Sequence, residues 1–329
     1  MLTSELQKIK DRTNTYDKPH LDFSAQLEKL KQNGLQIHND AFTIKKLFHI
    51  NYYRLSAYFL PFQYPKNSDK CDRFFEGVTF TDISNLYDFD AALRKMVFGA
   101  LERVEVYART QIAYHHAQVY GPFGYLHIEN FQCDEAEFEI LVADIKEESR
   151  RSDEEFVAHF KDKYNTTDLP LWSVVEVLSF GTISRFFACL KTDEQKKIAD
   201  TIGVHPKVLH NWLHAFTILR NICAHHSRLW NKQLRIRFMV PKKHPLFEPI
   251  KSIAKIQKKN NGSKKEVVYD NNASIFFALS VLKYIFDEIG EEVAFVREVK
   301  GILATYPKVD LVAMGFVPHW EQLTLWSDV

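Results

Sequence analysis

The chain has 329 residues, of which 46% are hydrophobic, 14% aromatic and 26% charged, and its formal net charge is +1. Its 26 Phe and 14 Tyr require burial and exclude a mainly disordered chain, while only 11 Gly and 11 Pro exclude collagen-like or low-complexity character and disfavour a turn-rich all-β fold. The near-neutral total gives no global field for polyanions, so a charge-driven partner has to be read from local segments.

In chain order, residues 1–20 read as a loose basic arm with no apolar stretch of signal-peptide type. Asp22 or Ser24 is expected to cap a helix that stops at Asn33-Gly34. Asp40 should cap AFTIKKLFHI, and NYYRLSAYFLPF reads as a further helix stopped near Pro61. Residues 64–79 are polar and irregular. The longest helical pattern starts at Thr81-Asp82 and ends near Gly121-Pro122. Its apolar residues Leu93, Val97, Ala100, Leu101, Val104 and Ala108 keep three–four spacing, as one helix of about 38 residues or as two with a bend at Gly99. Acidic helices are expected at 134–149 and 153–163. Asp168-Leu169-Pro170 opens the apolar helix LWSVVEVLSFGTISRFFACL, Thr192-Asp193 starts another, and Pro206 begins one that runs to about Leu229. RIRFMVP reads as a short strand, KKNNGSKKE as a Lys-rich loop, and two or three helices fill 272–326.

Residues 169–190 are the longest apolar stretch, but Glu176 and Arg185 make them too polar for a span of about 20 apolar residues, so no membrane partner is expected. Cys71, Cys133, Cys189 and Cys223 show no C-x-x-C spacing and fit free thiols in a reducing cytoplasm. Charge is unevenly distributed. Residues 228–265 hold 12 Lys or Arg against one acid, and residues 132–155 hold 10 acids against three bases. The basic segment reads either as a solvated loop or as a footprint for a polyanion, with Arg228, Lys232, Arg235, Arg237, Lys242 and Lys243 as phosphate contacts.

The stretch that carries chemistry is Arg220-Asn221-Ile222-Cys223-Ala224-His225-His226-Ser227-Arg228. On a helix, Asn221 and His225 are i and i+4 and share a face, so Asn221 could orient His225. Arg220 and His225 lie roughly 140° apart and flank a groove. Arginine is always charged and grips a phosphate with paired bonds, and histidine moves protons near neutral pH. Together they could hold a phosphodiester and do acid–base work on it without a metal or other cofactor. The competing reading is an Arg and a His tied into a structural polar network. A second pattern, Arg109 with His115 or His116, reads either as a second half-site that contacts RNA or as a salt-bridged surface helix. His205, His210, His214, Cys223, His225 and His226 crowd together, but they lack H-E-x-x-H and no metal site is expected. Tyr52, Tyr53, Tyr58, Phe59 and Phe62 could stack bases, though such spacing more often marks a core.

RNICAHHSRLWN resembles the signature of the Abi family, abortive-infection proteins of the AbiD/AbiF type within the HEPN superfamily, whose hallmark is R-x4–6-H. KPHLDFSAQLEKLKQNGL, HINYYRLSAYFLPF, FTDISNLYDFDAALRKMVFGALERVEVYARTQIAYHHAQVYG and LPLWSVVEVLSFGTISRFF fit the same family in order. The resemblance covers residues 18–240 and leaves 241–329 unmatched. It implies an all-α HEPN-like helical bundle over 18–240; with the elements read along the chain, the expected fold is mainly α, that bundle with additional N- and C-terminal helices and one short β element. Residues 241–329 would then supply the basic loop and C-terminal helices on the same core. It also implies a phage-defence role, often as an RNA-directed toxin, and metal-independent RNA cleavage. In that chemistry the 2′-hydroxyl attacks the adjacent phosphate and leaves a 2′,3′-cyclic phosphate. Arg220 and His225 carry over as the catalytic pair, Asn221 as the polar residue after the arginine, and His226 as an x5 alternative. Composite sites imply a homodimer or an internal second half-site at Arg109/His115. Some HEPN proteins keep the fold without cleaving, so a non-catalytic module that holds a neutralising non-coding RNA stays open beside the ribonuclease, as does a toxin that acts on proteins.

Overall fold

The scarcity of Gly and Pro has its expected outcome: the chain is 61% helical. The structure, a computed structural model, describes residues 19–258, 264–291 and 294–327, so the basic arm lies almost wholly outside the described residues. It forms two compact units, Met1–Tyr87 and Asp88–Val329.

The first unit holds α1 (Phe23–Gln32), α2 (Asp40–His49) and α3 (Tyr52–Ser56). Asp22 caps α1 through a 2.7 Å bond from the Ala25 amide, and Gly34 takes the left-handed backbone (φ +87°) just past its end. The cap of α2 is Asn39, which accepts from Phe42, so Asp40 is instead a first-turn acid that complements the helix dipole. The expected third helix stops at Ser56, and its remainder becomes a 3₁₀ turn at Leu60–Phe62 around Pro61. Leu27, Leu30, Leu47, Leu55, Tyr58 and Phe59 are buried, which makes Tyr58 and Phe59 core residues rather than stacking platforms.

The long helix α4 (Phe80–Tyr120) is continuous through Gly99. It begins slightly before Thr81 because Thr79 and Asp82 cap it reciprocally, at 3.0 and 3.2 Å. Gly121, at φ +75°, ends it. In the second unit the acidic segment forms α5 (Glu135–Arg151) and α6 (Glu155–Tyr164). The expected single apolar helix is two, α7 (Leu171–Val174) and α8 (Phe180–Cys189). Leu178 turns extended, and Ser179 caps a new helix through the Thr182 amide. The unit continues with α9 (Thr192–Asp200), α10 (Pro206–Ala224), α11 (Ile275–Glu288) and α12 (Phe295–Thr305).

The β element is not at RIRFMVP, which is irregular. It is an antiparallel hairpin of β1 (Ser252–Lys258) and β2 (Lys264–Asp270), which takes in both ends of the expected Lys-rich loop and pairs Ser252 with Asp270. The tip of that loop, 259–263, lies outside the described residues. Leu234 and Phe238 of the expected strand are buried, and the Phe238 amide bonds to Asn272, so the segment is a strap over the core.

The core of this unit is built on α10 and α11. Trp212 of α10 packs 5.7 Å from Phe247 and 5.8 Å from Tyr284, and α11 is buried on almost every side. The division between the two units falls within α4, at Tyr87 and Asp88. Among the described residues no helix is long and apolar enough to cross a membrane.

Candidate functional site

α10 ends at Ala224, short of the expected Leu229, so the two histidines lie in the turn after it rather than on its face. His225 is the C-cap residue (φ −84°, ψ 10°) and His226 is left-handed (φ +53°). The amide of His226 bonds to the Cys223 carbonyl and that of Ser227 to the Ile222 carbonyl, both at 3.0 Å. This is the double reverse bond of a Schellman stop, with His226 where glycine is usual. A β-carbon costs about 1–2 kcal/mol in that conformation. Both histidines are exposed, as is Asn221.

The turn is gripped from α4. Asp90, fully buried, accepts the amides of Leu229 (3.1 Å) and Trp230 (2.7 Å) and pairs with Arg94 one turn along the helix. Arg94 also reaches the Ser227 carbonyl at 3.4 Å. Beside this pair, burial pushes the Cys223 thiol up to about 12, above its ordinary range, and makes it an inert core residue. The sequence held a signal for the clamp, since Asp90 and Arg94 are i and i+4. Only their burial separates them from an ordinary surface pair.

Arg220 is half-buried, its guanidinium 5.8 Å from the Phe98 ring and 3.5 Å from the Asn221 side-chain oxygen. It lines a cavity of about 1050 Å³ together with Arg109, Glu105, Glu148, Glu154 and Glu176. Arg109 is fixed there by Glu105 at 2.5 Å, by the Leu178 carbonyl at 2.7 Å and by the Glu176 carbonyl at 3.1 Å. The break between α7 and α8 frees those two carbonyls from helical bonding, and Arg109 takes them up. Burial raises the Glu105 carboxyl above the ordinary glutamate range, although Arg109 and Arg220 both pull it down. Glu148 binds the Ser179 amide and the Thr182 hydroxyl, which commits it to the start of α8. The fold thus brings Arg109 and Arg220 to one cavity, and His225 and Asn221 are not among its lining residues.

His115 is half-buried, and burial together with Lys197 lowers its ring below the ordinary histidine range against the pull of Glu194. His116 is a correction. It is 0% exposed, 2.9 Å from Glu194, with its ring against Tyr120, Phe131 and Phe186, so it has no surface to offer a phosphate. It follows Ala108 and Ile112 at four-residue steps on the buried face of α4.

The basic segment is held by its apolar residues. Leu229, Trp230, Leu234 and Phe238 are buried, and the Trp212 indole donates to the Met239 carbonyl at 2.9 Å. Arg228 and Lys232 are half-buried, and Arg235, Arg237, Lys242 and Lys243 are exposed, with Arg237 3.1 Å from Asp270. Burial and the neighbouring His214 lower His210. Among the described residues no three His, Cys, Asp or Glu are placed to share a metal ion.

A mainly α protein with a cavity that mixes three arginines with six carboxylates, an exposed histidine turn clamped by a buried ion pair, and a basic strap is the class these features define. Residues 45–231, more than half of the chain, match the model of the family described as Abi-like protein, and the chain belongs to that family. No curated protein and no solved structure matches it. Family membership points to a role in abortive infection.

Proposed function

We propose that this Abi-like protein serves abortive infection as a metal-independent endoribonuclease of HEPN type. The observation that carries the reading is the His225–His226 turn, held by a buried Asp90–Arg94 pair and by a left-handed non-glycine residue yet open to solvent. Such placement would suit an imidazole that works on a large substrate. Arg220 would neutralise the non-bridging oxygens of an RNA phosphate, and His225 would move the proton between the 2′-hydroxyl and the departing 5′-oxygen. The 2′-oxygen–phosphorus bond forms as the phosphorus–5′-oxygen bond breaks, leaving a 2′,3′-cyclic phosphate and a 5′-hydroxyl. Asn221 would orient the site and His226 could substitute as the acid or base. Arg109, beside Arg220, and His115 would contact the backbone, and Arg228, Lys232, Arg235, Arg237, Lys242 and Lys243 would bind the strand beyond. A homodimer would set two such turns against one RNA.

A second reading is a non-catalytic module that holds a structured RNA. It is favoured by the position of His225 outside the Arg109/Arg220 cavity. The test is cleavage of a mixed RNA pool in excess EDTA by the wild type, Arg220→Ala and His225→Ala. Cleavage by the wild type alone, with cyclic phosphate ends, is the expected result. Equal cleavage by both variants refutes the site, and tight binding without cleavage selects the binding module.

A further inference from the structure

α5 and α8 run in opposite directions, and a series of ties fastens them in order. Glu148, near the end of α5, takes the Ser179 amide at 2.8 Å and the Thr182 hydroxyl at 2.9 Å where α8 begins. Asp144, one turn back along α5, pairs with Arg185. At the far end the Gln132 amide, just ahead of α5, donates at 3.0 Å to the carbonyl of Cys189, the last residue of α8, and Phe131 bridges Leu190. The Gln132 side chain also accepts from the Thr192 hydroxyl at 2.8 Å. This last tie sets Cys133 beside Cys189. Their thiols interact: burial, and after it a hydrogen bond with the Cys133 thiol, pushes the Cys189 thiol above its ordinary range.

All four cysteines of the chain are free thiols. Cys71 is exposed in the other unit, and Cys223 is buried beside Asp90 and Arg94. Cys133 and Cys189 combine what a redox pair needs: a half-buried thiol within reach of a small oxidant, and a second, 3% exposed, held against it. A raised thiol is slow to lose its proton, so Cys189, like Cys223, does not meet the oxidant first. It has no need to, because a sulfur already alongside reacts within the molecule, at an effective concentration far above that of a free thiol. Among the described residues no third ligand joins the two to hold a metal ion, so the pairing fits a disulfide better than a metal site.

We propose that Cys133 and Cys189 are a redox pair that closes to a disulfide when the protein meets hydrogen peroxide. The Cys133 sulfur attacks the peroxide. Its sulfur–oxygen bond forms as the oxygen–oxygen bond breaks, and a first water leaves with the thiol proton, so that Cys133 carries a sulfenic acid. The Cys189 sulfur then attacks that of Cys133. The sulfur–sulfur bond forms, the sulfur–oxygen bond breaks, and a second water departs with the Cys189 proton. Two thiols have lost two electrons and two protons, and the peroxide has become two waters. The bond fastens the start of α5 to the end of α8. Glu148 and Ser179, at the other ends of the same two helices, line the cavity that holds Arg109 and Arg220, so closure stiffens one of its walls. The inference does not depend on the ribonuclease reading.

The full chain is reduced, freed of reductant and treated with hydrogen peroxide, and its thiols are then titrated under denaturing conditions. The wild type should keep two thiols of its four and weigh two hydrogens less, and its digest should join the Cys133 and Cys189 peptides. Its Tm should rise by about 4–16 °C, the effect of a disulfide across a long loop, and dithiothreitol should return it. Cys71→Ser should close the bond as the wild type does. Cys133→Ser and Cys189→Ala should show no rise, and Cys189→Ala should hold a sulfenic acid at Cys133 that dimedone traps. Should either variant fail to fold, the thiol titration and the peptide map of the wild type still decide. Four thiols left in the treated wild type would overturn the pair. So would a cross-link through Cys71, or Cys133 carried on to a sulfinic acid with Cys189 still free.

Discussion

Replacing Asp90 with Asn keeps the side-chain shape and removes the charge on which the histidine turn hangs. In the wild type the carboxylate serves the guanidinium of Arg94 and the amides of Leu229 and Trp230, and it is 0% exposed while Arg94 is 6% exposed. Asparagine keeps one acceptor oxygen and points an amide donor at groups that are all donors. Arg94 then loses the carboxylate charge beside it, and at least one backbone amide loses its partner. Breaking a buried pair from one side costs about 3–5 kcal/mol. In a unit of this size that lowers Tm by about 6–20 °C, since each kcal/mol shifts Tm by roughly 2–4 °C. Thermal and urea unfolding of wild type, Asp90→Asn and Asp90→Asn/Arg94→Met measure it. The double variant removes both charges and should regain most of the loss. A cost under about 1 kcal/mol for Asp90→Asn, or a double variant no better than the single one, refutes the clamp.

His226→Gly should stabilise the fold by about 1 kcal/mol, because glycine takes the left-handed stop without a β-carbon penalty, and urea unfolding would register the rise. Neutralising Arg235, Lys242 and Lys243 together should flatten the slope of log affinity for single-stranded RNA against log salt by about 2, or about 0.7 per lost phosphate contact. An unchanged slope would show that the strap does not touch the backbone. Burial lowers His115 and His210, so the folded state favours their neutral rings, while the unfolded chain takes up protons near 6.5. Stability should therefore fall as pH drops through that range, and His115→Gln/His210→Gln should flatten this acid limb in unfolding measured against pH.

Much of the helical frame was legible because caps and periodicity are local. Asp22, Asn33-Gly34 and the three–four stripe of Leu93, Val97 and Leu101 act within a turn or two of themselves. Sequence pattern and structure part where two local signals compete. Asn39 outcompeted Asp40 as a cap, and Ser179 broke an apolar run that periodicity alone would continue. The hairpin was hidden because its strands carry lysines, although Asn261-Gly262 is a turn signal. The arginine cavity was half legible. Arg220 and Arg109 stood out as separate motifs, but their convergence depends on how α4 and α10 pack, which no local pattern encodes. His116 shows the limit most plainly, since the R-x6-H count is satisfied by a residue on the core face of its helix.

The turn after α10 is the place where stability and sequence disagree most. Glycine at position 226 would end the helix more comfortably. Apolar residues of similar volume at 90 and 94 would often be as stable as the buried pair or more so. Both less favourable choices act on one short segment: His226 lies within it, and Asp90 and Arg94 hold its backbone from Ser227 to Trp230. Together they leave little freedom to the backbone that carries His225, while its imidazole faces solvent. Local conflicts of this kind gather where a position matters more than its contribution to stability. His225 is therefore a stronger candidate for chemistry than its exposure alone would make it. His116 satisfies only the looser R-x6-H count from Arg109, and its ring is fully buried with Nδ1 2.9 Å from Glu194, the setting of a core residue even though its Nε2 has no partner among the described residues.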